Sequence, residues 1–257
     1  MSTHCPMNLR ALQEQAIAEL ASTRLCRAAM QENIQRSQYV AFMRDVYCYA
    51  QHSAQVIALA GARIASRLPV MAAYLFAHAG EELGHDGWAY RDLLDLGLTS
   101  EQLMEVQPTA TCLRMIALEY LFATQMNAVG LFGWMFVLES LGGRVGGEVA
   151  ARIDKTLHLQ GQGLSLMEGP RPAATHHSEC LYQVISDNLR TTADCTAFET
   201  MFRESLELYG NILESAYAAA AGPPPIEKFG SGRINSEDCS WSVGCIGGGR
   251  GTGLNDS

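Results

Sequence analysis

The chain has 257 residues, 48% of them hydrophobic, with a mean hydropathy near zero, so it can build one large globular domain with a sizeable core. A net charge of −9 with no cluster of lysine and arginine argues against nucleic acid and anionic membrane surfaces as partners. No apolar run reaches transmembrane length and no basic start precedes an apolar one, which makes the cytoplasm the expected location. Cys5, Cys26, Cys48, Cys112, Cys180 and Cys195 are scattered singly, the pattern of reduced thiols rather than of a disulfide framework.

Met1 to about Met7 is expected to be loose. From Asn8 to Arg36 neither glycine nor proline interrupts a run rich in alanine, leucine and glutamine, which predicts a helix broken at most once. A second helix is expected over Tyr39–Leu68, and Pro69 allows a third through Val70–Leu96. Gly97 closes it, and Thr99 or Ser100 caps the next. Pro108 opens a helix from Thr111 to about Gly130, followed directly by a glycine-studded one reaching Asp154. Glycines at 130, 133, 142, 143, 146 and 147 cost about 1 kcal/mol each against alanine inside a helix, a cost tolerated where a neighbouring helix or a ligand approaches the backbone. A loop over Gly161–Pro172 precedes two last helices, His176–Leu189 and Cys195–Ala221. No stretch alternates with a strand's period, so the body over residues 8–221 is all-α, with about seven or eight helices. From Gly222 to Ser257 three prolines and many glycines leave little to bury, as in a flexible tail.

The densest chemistry lies between Phe76 and Leu98, where His78, Glu81, Glu82 and His85 fall within just over two helical turns. Residues three and four apart share a helix face, so His78, Glu82 and His85 can address one point, with Glu81 as a competing carboxylate. Imidazole mixed with carboxylate suits a borderline divalent ion, and Glu82-Leu83-Gly84-His85 has the Glu-x-x-His spacing of carboxylate-bridged metal bundles. A solvated polar face with one satisfied histidine is the plainer alternative. Glu139 stands between Val137-Leu138 and Leu141, where an acid is costly unless paired or bound to metal. Glu119 has a similar setting one helix earlier. Of the adjacent His176 and His177 at most one can be a ligand. His52 follows Tyr47 and Tyr49 on an apolar helix, where a hydrogen-bonded core histidine is the commoner role. His158 is expected at the surface, and His4 in the frayed start. Neither a Gly-x-Ser-x-Gly elbow nor a phosphate loop is present.

Three stretches together resemble the heme-oxygenase-like superfamily: Tyr47-x-Tyr49-x-x-His52-Ser53, HAGEELGHDGWAYRDLLDLG over residues 78–97, and FGWMFVLESLGG over residues 132–143. The branch they resemble most is that of the iron-containing redox enzymes, or heme-oxygenase-like diiron oxidases, which share their fold with thiaminase II and pyrroloquinoline-quinone synthase. The resemblance covers about Asn8 to Ala221 and implies a helical bundle. It also implies a dimetal site made from a Glu-x-x-His pair, a later glutamate, and a final His-x3-Asp-x2-His helix. Carried over by motif, Glu82 and His85 match the first element, Glu139 the second, and His177 the start of the third, with Glu81, His78 and His52 as secondary candidates. The third element departs from the pattern: Leu181 stands where aspartate belongs and Val184 where histidine belongs, and starting from His176 gives Cys180 and Gln183 instead.

Two readings follow from the resemblance. In one, the protein is an iron-dependent oxidase or oxygenase that uses O2 on a small organic substrate, with one or two irons in an incomplete dimetal site and the glycine-rich Gly130–Gly147 face making room for substrate. In the other, the metal chemistry is lost, and the fold is a scaffold or leader for a modified C-terminal peptide. The candidates for modification are Cys239, Ser240, Trp241 and Cys245, and the partners would be tail-modifying enzymes. Helical domains of this kind often pair, which leaves a homodimer open.

Overall fold

A computed structural model of the protein describes residues 7–142, 146–168 and 171–219; for residues 168 and 171–177 it describes the helical backbone alone. The chain divides into a unit of residues 1–223 and a second of residues 224–257, the latter wholly outside the described residues. The tail candidates Cys239, Ser240, Trp241 and Cys245 therefore lie outside them, as do the side chains of His176 and His177.

The regular structure among the described residues is helical, without a strand. In chain order the helices are α1 (Leu9–Ala21), α2 (Arg24–Met30), α3 (Arg36–Ile64), α4 (Pro69–Glu82), α5 (His85–Asp95), α6 (Ser100–Met104), α7 (Ala110–Thr124), α8 (Leu131–Leu141), α9 (Gly147–Leu157), α10 (Ser165–Glu168), α11 (Arg171–Asn188) and α12 (Thr192–Ala218). Their boundaries follow local chemistry. The side chain of Asn8 accepts from the Ala11 amide and starts α1, Pro69 takes the first position of α4, and Thr109 and Thr191 cap α7 and α12. Of the two capping candidates before α6 it is Thr99 that caps, in a reciprocal box with Gln102.

The elements outnumber the seven or eight expected because single helices split where a side chain or glycine offers the backbone another partner. Ser22 and Thr23 donate their hydroxyls to the carbonyls of Glu19 and Leu20 and separate α1 from α2. The expected Val70–Leu96 helix breaks at Leu83-Gly84. The expected Gly161–Pro172 loop is shorter, since α10 begins at Ser165 and α11 at Arg171.

Two long helices organise the packing. α3, 29 residues long, lies against α4, α5, α7 and α12; α12, 27 residues long, lies against α8, α7, α2 and α1. Their apolar stripes meet in one core that includes Tyr39, Met43, Ile57, Phe198, Phe202 and Ile212. Buried polar groups in this core are tied down. Asp45 of α3 accepts from both the amide (2.8 Å) and the hydroxyl (2.7 Å) of Thr109, and buried Asp194 receives both guanidinium nitrogens of Arg67, at 2.7 and 2.8 Å. Cys26, Cys48 and Cys112 are buried thiols, whereas Cys195 is disulfide-bonded, which corrects the expectation of a reduced thiol there. No helix among the described residues is long and apolar enough to cross a membrane.

The glycines of the α8 region do not all serve one purpose. A Cβ on Gly133 would stand 2.4 Å from the Phe198 carbonyl oxygen and 2.6 Å from the Phe202 amide nitrogen, both on the α12 backbone. One on Gly130 would meet the Phe122 ring at 2.2 Å. These two make room for protein, not for substrate; the face left open to a ligand is that of Gly142 and Gly146, which have nothing within 4 Å of an added Cβ and line the internal cavity. Gly133→Ala is expected to cost about 3 kcal/mol, lowering Tm by roughly 6–12 °C, because backbone rather than a flexible side chain must give way. Gly80→Ala, at an open helical position, is expected to gain up to about 1 kcal/mol. Thermal melts of the two variants check the contrast.

Candidate functional site

The break between α4 and α5 builds the site. Leu83 is extended (ψ 117°) and Gly84 takes φ +94°, a left-handed conformation that glycine adopts without steric cost. Glu82 is therefore the last residue of α4 and His85 the first of α5, and the pair does not share the face of one continuous helix. The kink folds them together instead, with Glu82 Oε2 3.1 Å from His85 Nδ1. One turn earlier His78, only 5% exposed, stacks on Tyr74 with ring centroids 5.8 Å apart. Its Nδ1 lies 3.4 Å from Glu81 Oε2, and its Nε2 lies 3.7 Å from Glu82 Oε1 and 3.9 Å from Glu139 Oε1. The last two separations exceed hydrogen bonding, so these groups share a space rather than a bond. α8, pressed onto α12 at Gly133, brings Glu139 across to this point.

Charge is concentrated here. Burial, and after it the charges of Glu82 and Glu81, push the Glu139 carboxyl up to about 7, against a partial offset from His85. At His85 burial opposes the positive form, yet the hydrogen bond to Glu82 and the charges of Glu82, Glu139 and Glu81 prevail and raise its pKa. The Tyr74 phenol, whose buried oxygen has no hydrogen-bond partner among the described residues, is also pushed up, by burial first and then by Glu139. It stays protonated beside the acids.

As the side chains stand, no three His, Cys, Asp or Glu among the described residues are gathered tightly enough to hold a metal ion. The chemistry of the donors nevertheless fits one. Glu82 and Glu139, with side chains 18% and 20% exposed, both face His78, and a cation between them would offset the burial and the carboxylate repulsion that raise the pKa of Glu139.

These groups form one end of an internal cavity of about 740 Å³. Trp88 packs on His85 with ring centroids 4.6 Å apart, and Trp134, Tyr49 and Tyr209 line the wall further in. Leu166 and Met167 of α10 close another side. They are held there by Asp92, 1% exposed, which accepts from the amides of Ser165 (2.8 Å) and Leu166 (2.9 Å) and from the Ser165 hydroxyl. Sequence reasoning passes over these wall residues. Only Trp88, three residues after His85 and so on its helix face, carries a readable signal.

The other sequence candidates lie elsewhere. His52 is absent from the cavity wall and bonds through Nδ1 to the Tyr120 hydroxyl at 3.1 Å, while its neighbour Ser53 lines the cavity. Glu119 is fully buried in α7, with neither oxygen hydrogen-bonded among the described residues, and burial pushes its pKa well up. His158 ends α9 in a left-handed conformation, φ 53°. On α11, which packs against α4 and α8, Glu179 faces Arg10 at 3.3 Å, Leu181 is fully buried and Val184 packs on the core.

The all-α bundle has the heme-oxygenase-like fold, and solved structures match it. A domain of unknown function with a heme oxygenase-like fold from Shewanella denitrificans aligns with a TM-score of 0.74 at 22% identity, over 84% of this chain and 94% of that one. A TenA homolog from Pseudomonas syringae pv. tomato aligns at 0.66 and 12% identity, over 81% and 90%. Heme oxygenase-1 from Synechocystis, in complex with heme, aligns at 0.63 and 10%, over 82% and 90%. Residues 40–208 match the family described as iron-containing redox enzyme, and the chain belongs to that family. No curated protein matches it.

The electrostatics of Glu139 give a measurable pH dependence. In metal-free protein its carboxyl, ordinarily at 4.5 and here at about 7, binds a proton more tightly folded than unfolded. That contribution to stability is complete below about pH 4.5 and is lost as pH rises towards 7, with an upper bound of about 3 kcal/mol. Chelator-treated protein is expected to melt lower at pH 7.5 than at pH 5, and Glu139→Gln to flatten that difference; parallel pH profiles for the two would show that Glu139 carries no buried charge.

Proposed function

We propose that the protein is an oxidase or oxygenase that uses non-heme iron and O2 on a small organic substrate held in the cavity. The observation that carries this reading is the convergence of Glu82 and Glu139 on His78, and of Glu82 on His85, drawn from α4, α5 and α8, at one end of that cavity. Membership of an iron-containing redox family supports it. Iron rather than heme is favoured because no Lys or Arg among the described residues lines the cavity to pair with heme propionates.

Glu82, His85 and Glu139 would hold the ion, with His78 and Glu81 beside them. When bound, iron supplies the redox capacity to activate dioxygen. The chain's own groups do the rest. Glu82 orients His85 through Nδ1, Glu139 would give up its proton where it held the ion, and the Tyr74 phenol keeps a proton near this corner. Trp88, Trp134 and Met135 keep the inner wall apolar and so keep bulk water from the chemistry.

α11 contributes aliphatic Leu181 and Val184 at the positions where the family pattern has aspartate and histidine, so one tight iron is expected rather than two. In an anaerobic Fe(II) titration with a metal count, the wild-type protein should take up one equivalent, and Glu82→Ala or His85→Ala should weaken binding at least roughly tenfold while helicity is kept. Iron uptake unchanged by both substitutions, or no uptake by folded wild-type protein, would overturn the assignment.

A further inference from the structure

Glu119 is a buried acid that the site described above does not use. Its side chain is fully enclosed, and neither carboxyl oxygen has a hydrogen-bond partner among the described residues. Burial drives its pKa well up, so the group is a neutral carboxylic acid with a donor and acceptors to satisfy. The rest of the buried face of α7 is Cys112, Met115, Ile116, Phe122 and Ala123, among which an apolar side chain would be the more stable choice. A polar group kept in such a place needs an explanation in what stands beside it.

The packing of α7 on α3 and α12 supplies one. α3 and α7 run parallel: Asp45 meets Thr109 near one end, and His52 and Gln55 meet the Tyr120 hydroxyl further along, at 3.1 and 2.8 Å. Glu119 therefore stands level with Ser53. α3 and α12 run antiparallel: Gln38 donates to the Tyr217 carbonyl oxygen at 2.9 Å, and the rings of Tyr49 and Tyr209 have centroids 6.5 Å apart. One turn beyond that ring pair, Ser53 is level with Ser205. Ser205 is buried, and its hydroxyl, like the Glu119 carboxyl, has no partner among the described residues. Ser53 is also buried, donates to the Tyr49 carbonyl oxygen across a long 3.5 Å, and lines the cavity. Three helices thus bring an unpaired acid and an unpaired hydroxyl to the level of a weakly bonded hydroxyl on the cavity wall. Internal water typically joins buried polar groups of this kind, making about three hydrogen bonds.

We propose that Glu119, Ser205 and Ser53 enclose ordered water between α3, α7 and α12, and that this water links the Glu119 carboxyl to the cavity as its proton store. When chemistry in the cavity draws a proton, the Glu119 O–H bond breaks and the proton crosses the water and the Ser53 hydroxyl to the wall. The carboxylate left behind is unfavourable in that setting, and it takes a proton back along the same line from water entering the cavity between turnovers. Glu119 touches neither substrate nor metal and acts through Ser53. The use of the store rests on the oxidase reading above, since reducing dioxygen consumes protons, but the store itself belongs to the chain and is measurable without iron.

The experiment is infrared spectroscopy of the chelated full chain at pH 8.5, above the value of about 7 at Glu139, with rapid mixing into D2O. The wild-type protein is expected to show the carbonyl stretch of a protonated carboxyl that is lost in Glu119→Gln and shifted in frequency in Ser205→Ala. Its exchange with deuterium should be at least roughly tenfold slower in Ser53→Val, which blocks the line, and restored in Ser53→Thr, which has the same shape but keeps a hydroxyl. Each variant is compared in protein whose circular dichroism is unchanged, and the serine variants decide the matter on their own should Glu119→Gln not fold. Absence of the band, a band unmoved in Ser205→Ala, or exchange no slower in Ser53→Val than in Ser53→Thr would each overturn the proposal. An exchanging Glu119 proton in protein that takes up no iron would uphold the store and sink the metal reading; iron uptake with no such band, or with a band that does not exchange, would do the reverse.

Discussion

Glu82 and Glu139, with Glu81 at the rim, share a corner of the interior whose wall carries no Lys or Arg among the described residues, and much of the structure follows from that crowding of acids. Left to relax, the acids would move apart towards water, since burying like charges side by side costs several kcal/mol. The backbone prevents it from two directions. α8 cannot slide away, because Gly133 seats it directly on the α12 main chain, and α4 cannot carry Glu82 outwards, because the Gly84 turn folds its end back onto His85. The chain meets the strain chemically: the Glu139 carboxyl is pushed up to about 7 and the pKa of His85 is raised. Such an arrangement is costly as a scaffold and suits a site that a cation completes.

The sequence makes the helices legible and leaves their breaks obscure. Apolar spacing locates α3 and α12 to within about four residues at each end, because a 3.6-residue stripe facing one core leaves a plain pattern. The split at Leu83-Gly84 is not readable this way: alanine-rich flanks favour a continuous helix, and a glycine inside one differs from a glycine at φ +94° only once tertiary contacts are known. The consequence is chemical. Spacing alone puts His78, Glu82 and His85 on one helix face, whereas in the fold Glu82 and His85 meet across a kink. The glycines of α8 show the same limit, because composition says that something approaches the backbone but not whether it is α12 or a ligand. The wall residues Ser53, Trp134 and Tyr209 come from three helices distant in sequence, and nothing local announces that they share a cavity.

α11 separates this chain from the pattern of its family most sharply. A dimetal centre needs a third set of ligands facing Glu82 and Glu139, and α11 packs against both helices that carry them. The position that would bear the aspartate is Leu181, fully buried, and the position of the second histidine is Val184, packed on the same core. A carboxylate in place of Leu181 would have to be paid for by a metal; leucine there is simply core, adding apolar contact where the family pattern adds charge. A single ion held from the α4, α5 and α8 side, as proposed above, would leave the apolar part of the cavity wall undisturbed.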